Sequence, residues 1–210
     1  MQPTIEHAGQ MAQTPPDHKL TYEEFLDWCD EDTHAEWVDG EIVMTSPASL
    51  THQDIGALLE TALRVFVETH ALGRVLRAPF QMKLADSGRE PDLLFVASEH
   101  LDRLKATYLD GPADLAVEIV SPESGARDRG EKFYEYEAGG VREFWLIDPV
   151  RRQAEFYRLG EGGLYRHTAP DADGIYHSQV VPGFWLKVDW LWEQPLRPVL
   201  EILRELNLVR

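Results

Sequence analysis

The chain has 210 residues, 43% of them hydrophobic and 10% aromatic, which suits one enclosed core and leaves too little for two full domains. Its formal net charge of -17 argues against a dedicated nucleic-acid coat or a binder of anionic membranes, because both partners repel an acidic surface. A single cysteine, Cys29, excludes an internal disulfide framework and a multi-cysteine zinc site; with no apolar run near the ~20 residues that span a bilayer, the expected setting is the cytoplasm.

Residues 1–19 are polar, carry Pro15-Pro16 and read as a disordered leader before a single domain over 20–210. Thr21 with Glu24 three residues on is a capping box, so "TYEEFLDW" opens as a short helix. In "AEWVDGEIVMT", Asp39-Gly40 joins two alternating segments as a hairpin. From Ser49 to about His70, Ile55, Leu58, Leu59, Ala62, Leu63, Phe66 and Val67 recur at helical spacing and predict a long amphipathic helix. Strand character follows in "VLRAPFQMKLA", then a turn at "DSGREP" and a strand in "DLLFVA".

"SEHLDRLKATYL" reads as a helix capped by Ser98, and "DLAVEIV" as the next strand. "SPES" breaks the pattern before a helix in "ARDRGEKFYEYEAGG" that stops at Gly139-Gly140. Two strands joined at Asp148-Pro149, short strand pieces in "LYRHT", "YHSQVV" and "FWLKVDW", a "GEGG" turn at Gly160 to Gly163 and a last helix in "LRPVLEILRELNLV" complete the chain. Strands bracketed by helices and followed by hairpins predict an α/β or α+β domain with a mixed sheet. Phe184, Trp185, Trp190 and Trp192 are expected in the core; an exposed subset would form a homodimer interface.

Chemistry enters with Glu118, a carboxylate in the middle of an apolar strand. Alternation places it on one face with Ala116 and Val120, so it is either half exposed or held beside a partner, a metal or a cleft. Asp92 stands at the entry to another apolar strand behind Pro91. If the two strands are neighbours, their carboxylates offer the hard oxygen ligands that Mg²⁺ or Mn²⁺ prefers. Glu36, in the hairpin strand, is a third acid; its alternative is solvent exposure. Lys132, a turn beyond Asp128, is a compact positive charge for a phosphate, or a solvated lysine. His52 shares a helix face with Ile55, Gly56 and Leu59 and faces inward, as a core histidine or as a phosphate donor.

"EPDLLFV", "DLAVEIVSPES" and "DRGEKFYEYEAGGVREFWLIDP", in that order, together with "AEWVDGEIV" and "SPASLTHQDI" upstream, resemble the Uma-two family of restriction endonucleases, a branch of the PD-(D/E)XK nuclease superfamily, over about residues 20–192. The resemblance implies a restriction-endonuclease-like mixed sheet flanked by helices, and a Mg²⁺- or Mn²⁺-dependent nuclease that hydrolyses phosphodiester bonds of nucleic acid, DNA above all. It makes Asp92 and Glu118 the metal-binding carboxylates, with Glu36 and His52 accessory. The superfamily pattern places a lysine two residues after the acid, where this chain has Val120, so the lysine function falls to Lys132. The cations available to DNA, Arg127, Arg129, Arg151 and Arg152, lie among acids or on a turn, so affinity is expected to be weak and salt-sensitive. A second reading keeps the nuclease fold as a catalytically silent binding or regulatory module.

Overall fold

The computed structural model describes residues 15–30, 33–44, 48–121 and 128–210. Most of the expected leader, the whole of "SPES" but its first residue, and Arg127 lie outside them. Lys19, at the end of that leader, is described, with its ammonium 2.7 Å from Asp39.

Local signals place the first elements. Helix α1 (Tyr22–Trp28) begins at the capping box: the Glu24 amide donates to the Thr21 hydroxyl, and the Thr21 amide donates to the Glu24 carboxylate at 2.8 Å. Strands β1 (Ala35–Val38) and β2 (Glu41–Met44) pair antiparallel around a two-residue turn in which Asp39 and Gly40 have φ of 46° and 85°. Both central residues of such a turn must be left-handed, which Asp tolerates and Gly adopts freely. Ser49 caps α2 (Leu50–Thr69), and the predicted apolar stripe of that helix is buried throughout. Each large side chain in it contributes roughly 1.5–3 kcal/mol relative to exposure.

The middle of the chain departs from the predicted elements. The stretch around Pro79 is two strands, β3 (Gly73–Arg77) and β4 (Gln81–Lys83), because proline cannot donate to a ladder. "DSGREP" is not simply a turn: Ser87–Arg89 form β5, paired with both β1 and β4. After β6 (Leu93–Ala97), residues Ser98–Arg103 make a 3₁₀ turn instead of an α-helix. Ser98 does not cap it; its hydroxyl donates to the Ala71 carbonyl at 3.0 Å, tying the turn to the end of α2. Strand β7 (Tyr108–Asp110) takes in the last two residues of that predicted helix.

Strand β8 (Leu115–Ile119), helix α3 (Glu131–Gly139), β9 (Glu143–Asp148), β10 (Gln153–Leu159), β11 (Tyr165–His167), the hairpin β12 (Ile175–His177) with β13 (Trp185–Lys187), and helix α4 (Val199–Glu205) follow. The "GEGG" turn joins β10 to β11 as expected. The main sheet has the order β11-β10-β9-β8-β6-β3 and is mixed: β8 and β9 run parallel, the other neighbours antiparallel. A second sheet, β2-β1-β5-β4-β7, was not foreseen and carries Glu36 away from the main sheet in sequence but, as the site makes plain, not in space.

Each face of the main sheet is covered. Leu115, Val117 and Ile119 join the cluster under α2, whereas Ala116 and Val120 join the one containing Tyr136 of α3 and Met82 of the second sheet. The predicted alternation of β8 is therefore real, yet neither of its faces is wet. Phe184 and Trp190 are buried, as expected of core residues, and Trp185 and Trp192 are partly buried against the α2 cluster.

Gly88 shows how tightly the second sheet is covered by α1. A Cβ there would lie 2.3 Å from Cε2 of Tyr22 and 2.9 Å from Oε1 of Gln81. Gly88→Ala is expected to destabilise the protein by about 1–3 kcal/mol through this overpacking. A thermal melt checks it; an unchanged midpoint would mean that the Tyr22 ring gives way freely.

Candidate functional site

Strand pairing brings the two predicted carboxylates together. In the antiparallel β6-β8 ladder Leu93 faces Val117, so one step further along Asp92 comes opposite Glu118. Asp92 accepts the Ile119 amide at 2.6 Å through Oδ2, and its Oδ1 lies 3.1 Å from Nε2 of His52. His52 reaches this point from the first turn of α2, where its own amide donates to the Ser49 hydroxyl. Burial would lower the imidazole pKa, but the hydrogen bond and charge of Asp92 and the Ile119 backbone outweigh it, and the net shift is upward.

Glu118 is buried, not half exposed, and has two partners on α3. Lys132 donates to both of its carboxylate oxygens at 3.0 Å, and the Tyr136 hydroxyl donates to Oε1 at 2.6 Å. Lys132 and Tyr136 are four residues apart, one above the other on a single helix face. Burial pushes the Glu118 carboxyl well above the usual carboxylate range; Lys132 opposes this, while Asp128, Asp92 and Glu36 reinforce it.

Lys132 is likewise buried and not a solvated lysine. Its ammonium lies 2.9 Å from Glu36, 3.0 Å from Glu118 and 3.7 Å from Asp128. Burial would lower its pKa, but Glu118, Glu36 and Asp128 win, and the group is held above the ordinary lysine value. Its acidic neighbours thus favour the ammonium form.

Glu36 is also enclosed, which settles its alternative of solvent exposure. One oxygen accepts from Arg89 at 3.1 Å, and the other takes Lys132 and the Glu90 amide, the latter at 3.2 Å. Burial would raise its pKa, yet Lys132 and Arg89 together lower it. Glu90, by contrast, is pushed up to about 7 by burial, with Glu36 adding to the rise and a hydrogen bond from Gln81 opposing it.

All five predicted residues, Asp92, Glu118, Lys132, Glu36 and His52, therefore belong to one connected assembly. Sequence reasoning missed Tyr136, Arg89, Glu90 and Glu135. Tyr136 was accessible from its spacing to Lys132, whereas Arg89 sat in a stretch with the composition of a turn. Of the surface cations, Arg129 is taken up by Glu155 and Asp148, and Arg152 donates to the Trp192 carbonyl at 2.6 Å. Among the described residues, no group of three or more His, Cys, Asp and Glu is arranged to hold a metal ion, and no helix is long and apolar enough to cross a membrane.

The fold is a mixed sheet flanked by helices, in which Asp92 and Glu118 meet on adjacent strands and Lys132 comes from the helix alongside. Residues 22–189 match the family model Uma2, described as "Putative restriction endonuclease", and the chain belongs to that family. Among solved structures it is similar to one described as "a putative nuclease belonging to DUF820 from Anabaena variabilis ATCC 29413". The two share 18% identity and a TM-score of 0.71, over 82% of this chain and 97% of that one. No curated protein matches.

Proposed function

We propose that this protein is a divalent-metal-dependent nuclease that hydrolyses phosphodiester bonds, with DNA as its substrate class and Mg²⁺ or Mn²⁺ as its ion. The observation that carries the reading is the meeting of Asp92 with Glu118 beside the Lys132 ammonium. The donor set suits a hard cation: Asp92 and Glu118 offer carboxylate oxygens from adjacent strands. Asp92 and Glu118 would hold the ion, and water or phosphate would complete its shell. Such an ion polarises the phosphoryl group and lowers the pKa of water.

The chain's own residues supply the rest. Lys132, favoured as an ammonium by its acidic neighbours, donates to the attacking water or offsets charge developing on the phosphoryl oxygens. His52 orients Asp92 and offers a donor toward a phosphate. Arginines already paired with acids, Arg129 with Glu155 and Asp148 and Arg151 with Asp148, on a chain of net charge -17, support weak association that falls steeply with salt.

The second reading, a binding module without catalysis, has one observation in its favour: both oxygens of Glu118 already accept from Lys132, and one also from Tyr136. A cleavage screen over DNA and RNA with Mg²⁺, Mn²⁺ or chelator separates the two. Cleavage is expected only with metal and should fall on the order of 100-fold or more in Asp92→Asn, the scale of losing one electrostatic stabiliser. Asparagine retains a carbonyl oxygen for the Ile119 amide, which protects the fold. Cleavage that survives the substitution overturns the site; no cleavage of any substrate, with unaltered metal binding in Asp92→Asn, favours the binding module.

A further inference from the structure

We propose that Arg89 is the positioning residue of this site, acting through Glu36 to hold the Lys132 ammonium against Glu118. The role assigned to Lys132 in hydrolysis rests on the nuclease reading; the positioning itself does not.

Pairing of β1 with β5 sets Trp37 opposite Gly88, so Glu36 and Arg89 meet one step further along the same ladder. The Arg89 side chain is fully enclosed, with 0% exposure, and its donors reach Glu36 on one side and Glu135 and, at 3.5 Å, Glu131 on the other. Nε and Nη2 form a fork on Glu135 at 2.7 and 2.6 Å, and Nη1 donates to Oε2 of Glu36 at 3.1 Å. Glu36 cannot rotate without losing this bond, because its other oxygen is the one facing Lys132. Glu135 lies on α3, one residue before Tyr136 and three after Lys132, so the same guanidinium also sets the helix on which both partners of Glu118 ride.

Stability alone does not account for this arrangement. A buried ion cluster loses its hydration, and apolar residues of similar volume are often as stable or more so. What a planar, bidentate cation adds is direction, which a lysine at the same position lacks. The consequence to look for is a change in the environment of Lys132 while the fold persists.

The test uses protein labelled with ¹⁵N-lysine. The Lys132 ammonium is identified as the resonance that survives when Lys19, Lys83, Lys105 and Lys187 are all replaced by arginine. In the wild type its exchange with water should be slow. In Arg89→Gln, which adds no further lysine to the spectrum, with a cooperative melt retained, that exchange should accelerate roughly tenfold or more as the site opens locally. Glu135→Gln, a change at a less enclosed position that weakens the fork without emptying it, should give the same effect at smaller size. An unchanged ammonium resonance in either folded variant overturns the proposal, as does loss of cooperative folding in both. On any substrate that the wild type cleaves, Arg89→Gln should lower kcat with KM little changed. If the wild type cleaves nothing, the nuclease reading fails, and the ammonium measurement still decides the role of Arg89.

Discussion

Lys132→Met is expected to destabilise the protein by about 3–5 kcal/mol near neutral pH, the scale on which removing one partner of a buried ion pair acts. Methionine fills much of the volume of the lysine stem, so the cost is electrostatic. It leaves Glu118, Glu36 and Asp128 facing one another with their shared cation gone. The pH dependence follows from the directions of the shifts. In the wild type Lys132 and Arg89 hold Glu36 low, so its contribution is present above the unfolded carboxylate pKa and is lost as pH falls through the folded one. Without Lys132 the enclosed carboxyls are raised instead, and the variant loses stability as pH rises through their folded pKa values.

The gap between wild type and Lys132→Met should accordingly be small in acid and widen toward neutrality. Denaturant unfolding at about pH 5 and about pH 8 measures it. A deficit that is the same at both would point to lost packing; no deficit would mean that Lys132 leaves the cluster in solution. Lys132→Met combined with Glu118→Gln should recover part of the loss, since one of the uncompensated charges is then absent.

Glu118→Gln is expected to leave stability in chelator unchanged or raised, and to remove both the stabilisation by Mg²⁺ and the cleavage. Lys132 keeps Glu36 and Asp128 in the variant, so no buried cation is stranded. The wild-type carboxyl is raised by burial and by its acidic neighbours. A raised acid contributes stability that is present below its unfolded pKa and is lost as pH rises through the folded value, so the advantage of glutamine should grow with pH. A saturating ion stabilises the native state by about 2.7 kcal/mol at 100 times its Kd. Melts of wild type and Glu118→Gln, each in chelator and in Mg²⁺, should give that shift in the wild type alone. A variant that melts clearly lower in chelator at neutral pH and retains the full Mg²⁺ shift would mean that Glu118 serves architecture.

What the amino-acid sequence determined by itself lies within a few residues of each signal. Thr21 and Glu24 satisfy one another's amides, Asp39-Gly40 closes a two-residue turn, and the stripe from Ile55 to Val67 needs only the helical period. The same holds for the alternation that put Glu118 opposite Val117 and Ile119, and for the family resemblance carried by its neighbours. These are short-range preferences, and they survive into the fold because nothing at long range opposes them.

Tertiary structure decided everything that depends on what covers a face. The alternation in β8 could not say that both sides would be enclosed, so Glu118 could not be told from a half-exposed acid until α3 brought Lys132 and Tyr136 onto it. "DSGREP" has the composition of a turn, and only pairing with β1 and β4 makes its Ser87–Arg89 segment a strand and places Arg89 beside Glu36, 53 residues earlier. Likewise "SEHLDR" stops at a 3₁₀ turn because Ser98 is drawn to the end of α2. The state of a buried charge is set by its desolvation and by the charges packed around it, and those neighbours come from parts of the chain whose distance apart no local pattern encodes.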